Sequence, residues 1–175
     1  TTTLFNSVSN TQRIKELSEG SKTLSELGFD LNIGTVVWNQ HKDILTTDKD
    51  QTRLIYSGDI KNNKVILTQY KNPEKKNYIR KDGNTGVTMV LNRGYGKGKY
   101  SFSYGIVDLN VPYLIENHLI NIRYNKDIPK KELMKKYKSL ITSFTDKRTN
   151  EFVELYFGNN AINITELKTI LPIYS

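Results

Sequence analysis

The spacing of apolar residues changes twice along this chain, from helical to period two and back, and the changes mark the expected elements. Ser9-Asn10-Thr11-Gln12 offers capping groups ahead of Ile14 and Leu17 at helical spacing, so a short helix ending near Gly20 is expected. Thr23-Leu24-Ser25-Glu26 has the capping-box form, in which the Thr oxygen and the Glu carboxylate each satisfy an amide of the first turn, and Gly28 stops it. From Phe29 the period becomes two through Leu31 and Ile33; Val36, Val37 and Trp38 extend the apolar run, and a polar loop follows over 43–50.

Strand-like segments then fall at 54–56, 65–70, 78–80, 87–91, 100–109 and 113–124. Lys61-Asn62-Asn63-Lys64 and Asp82-Gly83-Asn84-Thr85-Gly86 read as hairpin turns, because Asn and Gly accept the positive φ those turns demand. Helical spacing returns with Asp127 as an expected cap, Pro129 in the first turn, and Leu133, Met134, Tyr137, Leu140 and Ile141 as the apolar stripe. A second helix over about 146–157 stops at Gly158, and a third opens with Asn163-Ile164-Thr165-Glu166 and ends at Pro172. The expected class is α+β: a twisted, mostly antiparallel sheet flanked by short N-terminal helices and C-terminal helices, in a single domain spanning 1–175.

Composition narrows the class. With 37% hydrophobic residues in 175, the chain can bury a real core. It opens Thr1-Thr2-Thr3-Leu4 without an initiator Met, which reads as a piece of a longer protein, and no apolar run approaches the roughly 18 residues a bilayer crossing needs. There is no Cys, and His41 and His118 are the only histidines, so neither a disulfide framework nor a Cys/His zinc cluster can be built; a cytoplasmic setting is expected.

Charge changes the picture most. Residues 61–99 hold ten Lys/Arg against two acids, and removing them from the totals of 26 and 18 leaves sixteen of each, so the net +8 sits in this one stretch. A field concentrated on one segment suits a polyanion, because each neutralised phosphate releases condensed counterions. The bland alternative is a solvated, Lys-rich hairpin region that keeps the domain soluble. The segment also carries Tyr70, Tyr78, Tyr95 and Tyr100 and the amides Asn72, Asn77 and Asn92, a mixture able to hold phosphates and touch bases.

Four motifs carry candidate chemistry. Trp38-Asn39-Gln40-His41-Lys42 sets two carboxamides beside a cation; Asn and Gln make bidentate contacts to adenine, while Trp38 equally serves as a core anchor. Asn92-Arg93-Gly94-Tyr95-Gly96-Lys97-Gly98 resembles a nucleotide-binding glycine loop but precedes a strand rather than a helix, so a flexible hairpin approaching phosphates is the better reading. Glu116-Asn117-His118 places a histidine in a β-like run, where a structural or orienting role outweighs a catalytic one. Asp59-Ile60-Lys61 has the acid-x-Lys form of metal-dependent nucleases, without a well-placed second acid.

With these residues laid out, the chain resembles, nearly end to end, the C-terminal target-recognition region of bacterial N6-adenine-specific DNA methyltransferases of restriction-modification systems. The resemblance rests on the order of Thr11-Gln12-Arg13-Ile14, Leu24-Ser25-Glu26-Leu27-Gly28, Gly34-Thr35-Val36-Val37-Trp38-Asn39-Gln40-His41-Lys42, Asn92-Arg93-Gly94-Tyr95-Gly96, Glu116-Asn117-His118-Leu119, Asn159-Asn160-Ala161 and Thr165-Glu166-Leu167 to Leu171-Pro172-Ile173. That family's S-adenosylmethionine glycine loop and Asn/Asp-Pro-Pro-Tyr/Phe motif are missing; Asn72-Pro73-Glu74-Lys75 lacks the second Pro and the aromatic.

The resemblance therefore implies recognition of double-stranded DNA without activity in this piece. S-adenosylmethionine would be held by an N-terminal catalytic domain of the same chain, and no cofactor or metal here. The expected base contacts are Asn39, Gln40, Arg93 and Asn117; the expected phosphate contacts are Lys42, Lys71, Lys75, Lys76, Arg80, Lys81, Lys97 and Lys99; Trp38, Gly94, Gly96 and His118 are expected to be structural or orienting. The alternatives are a stand-alone specificity module serving a separate methyltransferase or restriction subunit, and a divalent-metal nuclease.

Overall fold

A computed structural model of the chain describes residues 8–92, 102–158 and 162–174. They form an α+β protein with two compact units. The first unit draws on the two ends of the chain: 8–31, Phe102 and the described residues from 124 onward. The second comprises 32–92 and 103–123.

The first unit is helical. Helix α1 spans Val8–Ser18. The Thr23-Glu26 capping box forms, with the Thr23 amide donating to Glu26 Oε1 at 3.0 Å and the Glu26 amide to Thr23 Oγ1 at 3.3 Å, yet it caps only a turn, which Gly28 ends at φ 89°. The N-terminal part thus has one helix and a capped turn. Helix α2, Lys130–Phe144, starts on Pro129 and not on the expected Asp127 cap, with no side-chain cap bond. The fixed φ of proline leads directly into the helix.

Helix α3, Lys147–Tyr156, is capped by Asp146, and α4, Ile164–Thr169, takes the expected cap Asn163. Their seams are polar and aromatic: Arg13 of α1 makes a two-pronged bond to Glu151 of α3 at 2.6 and 2.8 Å, and Tyr174, lying 3.9 Å beneath the Arg148 guanidinium, donates its hydroxyl to the Leu17 carbonyl at 2.7 Å.

The second unit is built on β-structure. One sheet has the order β2-β6-β3-β9, with β2 Leu45–Thr46, β3 Thr52–Ile55, β6 Tyr78–Ile79 and β9 Tyr113–Ile115. Strands β3 and β9 run parallel and pair Arg53 with Tyr113, Leu54 with Leu114 and Ile55 with Ile115. Alternate residues of these strands enter two separate buried clusters: Leu54 and Leu114 join Val36, Leu45, Tyr56 and Ile79, whereas Ile55, Tyr113 and Ile115 join Val90, Val107 and Leu119. A strand covered on both faces reads as an unbroken apolar run, as Leu54-Ile55-Tyr56 and Tyr113-Leu114-Ile115 do.

A second sheet of this unit has the order β10-β7-β8, with β7 Thr88–Asn92, β8 Tyr104–Val107 and β10 Leu119–Tyr124, both pairs antiparallel; β1 is Phe29–Ile33. The remaining strands, β4 Ile60–Lys61 and β5 Lys64–Val65, form a hairpin turned by Asn62 and Asn63 at φ 50° and 58°.

Five local expectations need correction; of the expected 65–70 strand only Val65 is in a strand, at the end of β5. Val36 makes only a parallel bridge to Glu116, and Trp38–Gln40 is a single 3-10 turn rather than a strand. The polar 43–50 stretch contains β2, whose Leu45 packs in the core beside Ile44. The 113–124 run is two strands, broken where the Glu116 carboxylate accepts the His118 amide. The 82–86 turn does not make a hairpin, since β6 pairs with β2 and β3.

Gly34 explains how close the chain approaches itself here: a Cβ would collide with the Glu116 carbonyl oxygen while the Gly34 amide donates to Leu119 O at 2.9 Å.

Candidate nucleic-acid interface

All candidate contacts among the described residues lie in the second unit. The 3-10 turn Trp38–Gln40 projects Asn39 and Gln40 outward; both are exposed, and neither side chain bonds to another described residue. His41 fixes the turn from inside, its Nδ1–H donating to Val37 O at 2.8 Å. The bridge between Val36 and Glu116, with the Asn117 amide donating to Val36 O at 2.8 Å, brings the 116–118 turn alongside this segment. Asn117 points its Oδ1 into the protein, buried and without a hydrogen-bond partner.

His118 is largely exposed, yet its Nδ1 lies 2.8 Å from both oxygens of the buried Glu116 carboxylate. That bond holds the proton on Nδ1 and presents Nε2 to solvent, an orienting arrangement.

The basic segment divides into outward and inward cations. Lys61, Lys64, Lys71, Arg80 and Lys81 are exposed, and Lys76 is half-buried. Arg80 and Lys81 border a surface groove of about 410 Å³ that also carries Asp50 and Asp82, so its charges balance. Lys42 is exposed but pairs with Glu74 at 3.3 Å and lies 5.5 Å from the centre of the Trp38 ring. Lys75 turns inward, with its Nζ 4.2 Å from the Tyr70 ring centre, 4.7 Å from that of Tyr56 and 5.7 Å from that of Trp38. Arg93, Gly94, Gly96, Lys97 and Lys99 lie outside the described residues.

Beneath these side chains sits a buried carboxylate whose structural importance the sequence reading missed. Asp59 is fully buried and accepts from the Tyr56 amide at 3.0 Å, the Thr68 amide at 3.2 Å and the Tyr70 hydroxyl at 2.8 Å. Arg53 brings Nη2 to 3.7 Å from Asp59 Oδ2, although its Nε and Nη2 lack hydrogen-bond partners. This environment ties 56–59 to 66–70 and occupies the oxygens that a nuclease would use for a metal.

Burial raises the Tyr70 hydroxyl well above the ordinary tyrosine value, and its bond to Asp59 adds to the effect. Tyr56 is raised by burial first, then by the charges of Glu116 and Asp59. Both stay neutral donors, Tyr56 bonding Lys76 O at 2.6 Å. The Ser57-Gly58-Asp59 turn was the available signal, but its pattern does not reveal that the carboxylate folds inward.

No family model matches the chain, and no curated protein matches it by sequence. Among solved structures, the HsdS subunit from Thermoanaerobacter tengcongensis is similar over 95% of this chain and 38% of that one, at 11% identity and a TM-score of 0.47. A chain from a structure addressing complex assembly and conformational transition of the type I R-M system is similar over 94% of this chain and 40% of that one, at 9% identity and a TM-score of 0.49. The chain thus spans about two fifths of the length of these similar proteins. Among the described residues, no helix is long and apolar enough to cross a membrane.

Proposed function

We propose that this chain is a DNA-reading module of a restriction-modification system. In the finer form of the proposal, it is the target-recognition domain that positions duplex DNA for methylation of adenine N6 and has no catalytic activity alone. The observation that carries the reading is the concentration of the whole +8 charge in 61–99, whose exposed cations Lys61, Lys64, Lys71, Arg80 and Lys81 share one compact unit with the exposed amides Asn39 and Gln40. Cations of this kind supply phosphate contacts that set position, and the amides supply base contacts that set sequence.

S-adenosylmethionine belongs to the catalytic half, which alone would carry the glycine loop and the base-holding motif. That half is either the preceding part of one polypeptide or a separate subunit. In either arrangement the adenine is extruded from the stack for chemistry elsewhere, and this chain contributes the grip on the surrounding duplex.

Binding to a pool of random duplexes across a salt series tests the reading. Steep salt dependence with enrichment of a short adenine-containing motif is the expected result. Absence of binding at low salt would overturn it and return 61–99 to the role of a solvated surface.

A further inference from the structure

We infer that Trp38, Tyr56 and Tyr70 form a binding cage for an alkylammonium group, whose resident in the free chain is Lys75, and that this capture latches the 72–77 strap over the Trp38–Gln40 turn. The three ring centres lie 5.7, 4.7 and 4.2 Å from one ammonium, all within the roughly 6 Å over which the negative face of an aromatic ring attracts a cation. Glu74, the adjacent acid, pairs instead with Lys42 at 3.3 Å. The rings are therefore the ammonium's direct partners.

The cage walls are held independently of their guest. Tyr56 is fully buried and meets Tyr70 edge to face at 5.0 Å, while Trp38 packs against the core cluster that contains Tyr56. Tyr70 donates its hydroxyl to the buried Asp59 at 2.8 Å, which feeds electron density into the ring nearest the ammonium. A cage of this composition takes an ammonium bearing alkyl groups, because its apolar faces receive the methylenes and its ring faces the charge.

The strap is closed on itself at its start and fastened to the protein at its C-terminal end. Asn72 Oδ1 accepts the Glu74 amide at 3.0 Å, Lys76 O accepts the Tyr56 hydroxyl at 2.6 Å, and Asn77 Nδ2 donates to Thr68 O at 2.9 Å. Lys75 lies between the Asn72–Glu74 turn and the anchors at Lys76 and Asn77 and reaches the one ring, Trp38, that belongs to the turn presenting Asn39 and Gln40. The latch does not depend on what the protein binds elsewhere.

Trp38 is the sole tryptophan, so its emission reports the cage directly. In the full chain, Lys75→Ala titrated with tetramethylammonium chloride is expected to give a saturable change in Trp38 emission. The unsubstituted chain and Lys75→Met, whose thioether fills the space, should respond only as they do to sodium chloride. A second readout needs no variant: ring currents should move the Lys75 Hε protons upfield of those of the exposed lysines. Absence of that displacement, or identical responses to tetramethylammonium in all three proteins, would overturn the assignment.

Discussion

Asp59 shows how one residue can decide a local structure without announcing itself. Its carboxylate accepts two amides and a phenol and faces Arg53, so Asp59→Asn places an amide where donors converge and leaves Arg53 buried without its counter-charge. A loss of about 3–5 kcal/mol is expected, the cost of breaking a buried pair from one side, and a urea unfolding midpoint measures it. A loss below about 1 kcal/mol would mean that Arg53 finds another partner on relaxation. The residue types of the candidate site can be read in the sequence, but side-chain direction cannot: Lys71 and Lys75 have the same charge and similar neighbours, yet one faces solvent and the other three aromatic rings.

At the scale of elements, positions with a local physical cause were readable and those set by long-range packing were not. The β4-β5 turn needs two consecutive left-handed residues, and Asn62-Asn63 states that requirement in the chain; the Asn163 cap is legible because its side chain acts on the amide three residues on. The parallel pairing of β3 with β9 has no local signature, since its partners lie some sixty residues apart and both strands are apolar on both faces.

Gly34 sits where such a long-range approach becomes steric. Gly34→Ala forces Cβ against the Glu116 carbonyl, with an expected cost of about 3 kcal/mol or more, and the shift should extend to the 116–118 turn. Amide hydrogen exchange at Val36 and Asn117 checks it, because their amides donate to Ile115 O and Val36 O across that approach; unchanged protection would show that the backbone accommodates a methyl group.

The basic segment makes a prediction of the same scale under the DNA-reading proposal. Lys71→Met should flatten the plot of log affinity against log salt by about 0.9 for the phosphate contact it loses, whereas Lys75→Met should leave the slope unchanged because its charge stays in the cage. Equal flattening in both would mean that Lys75 leaves the rings when DNA arrives.

For the whole molecule, stability at high pH joins features that look separate at smaller scales. Burial raises Tyr56, Tyr70, Tyr113 and Tyr174 above the ordinary tyrosine value of 10.0, the first three in the second unit and the last in the first unit. In the unfolded chain they lose their protons near pH 10, while in the folded chain they retain them to higher pH. The unfolded state therefore binds fewer protons as pH climbs past 10, and stability that is intact below that value falls as pH rises toward the folded values. Neutral and mildly alkaline solutions should leave the fold unaffected by these groups.

Above pH 10, absorbance of tyrosinate near 295 nm should develop in two stages. Tyr56, Tyr70, Tyr113 and Tyr174 should ionise in the later stage, in step with loss of the circular dichroism signal. Replacing Tyr70 with Phe removes one proton from the second stage and also the donor to Asp59, so the variant should be less stable at neutral pH yet lose less of its remaining stability across the alkaline range. If all eleven tyrosines titrated smoothly with the dichroism intact, the hydroxyls would be reaching solvent without unfolding, and the closed hydrogen bonds of Tyr56 and Tyr70 would not be what holds these segments together.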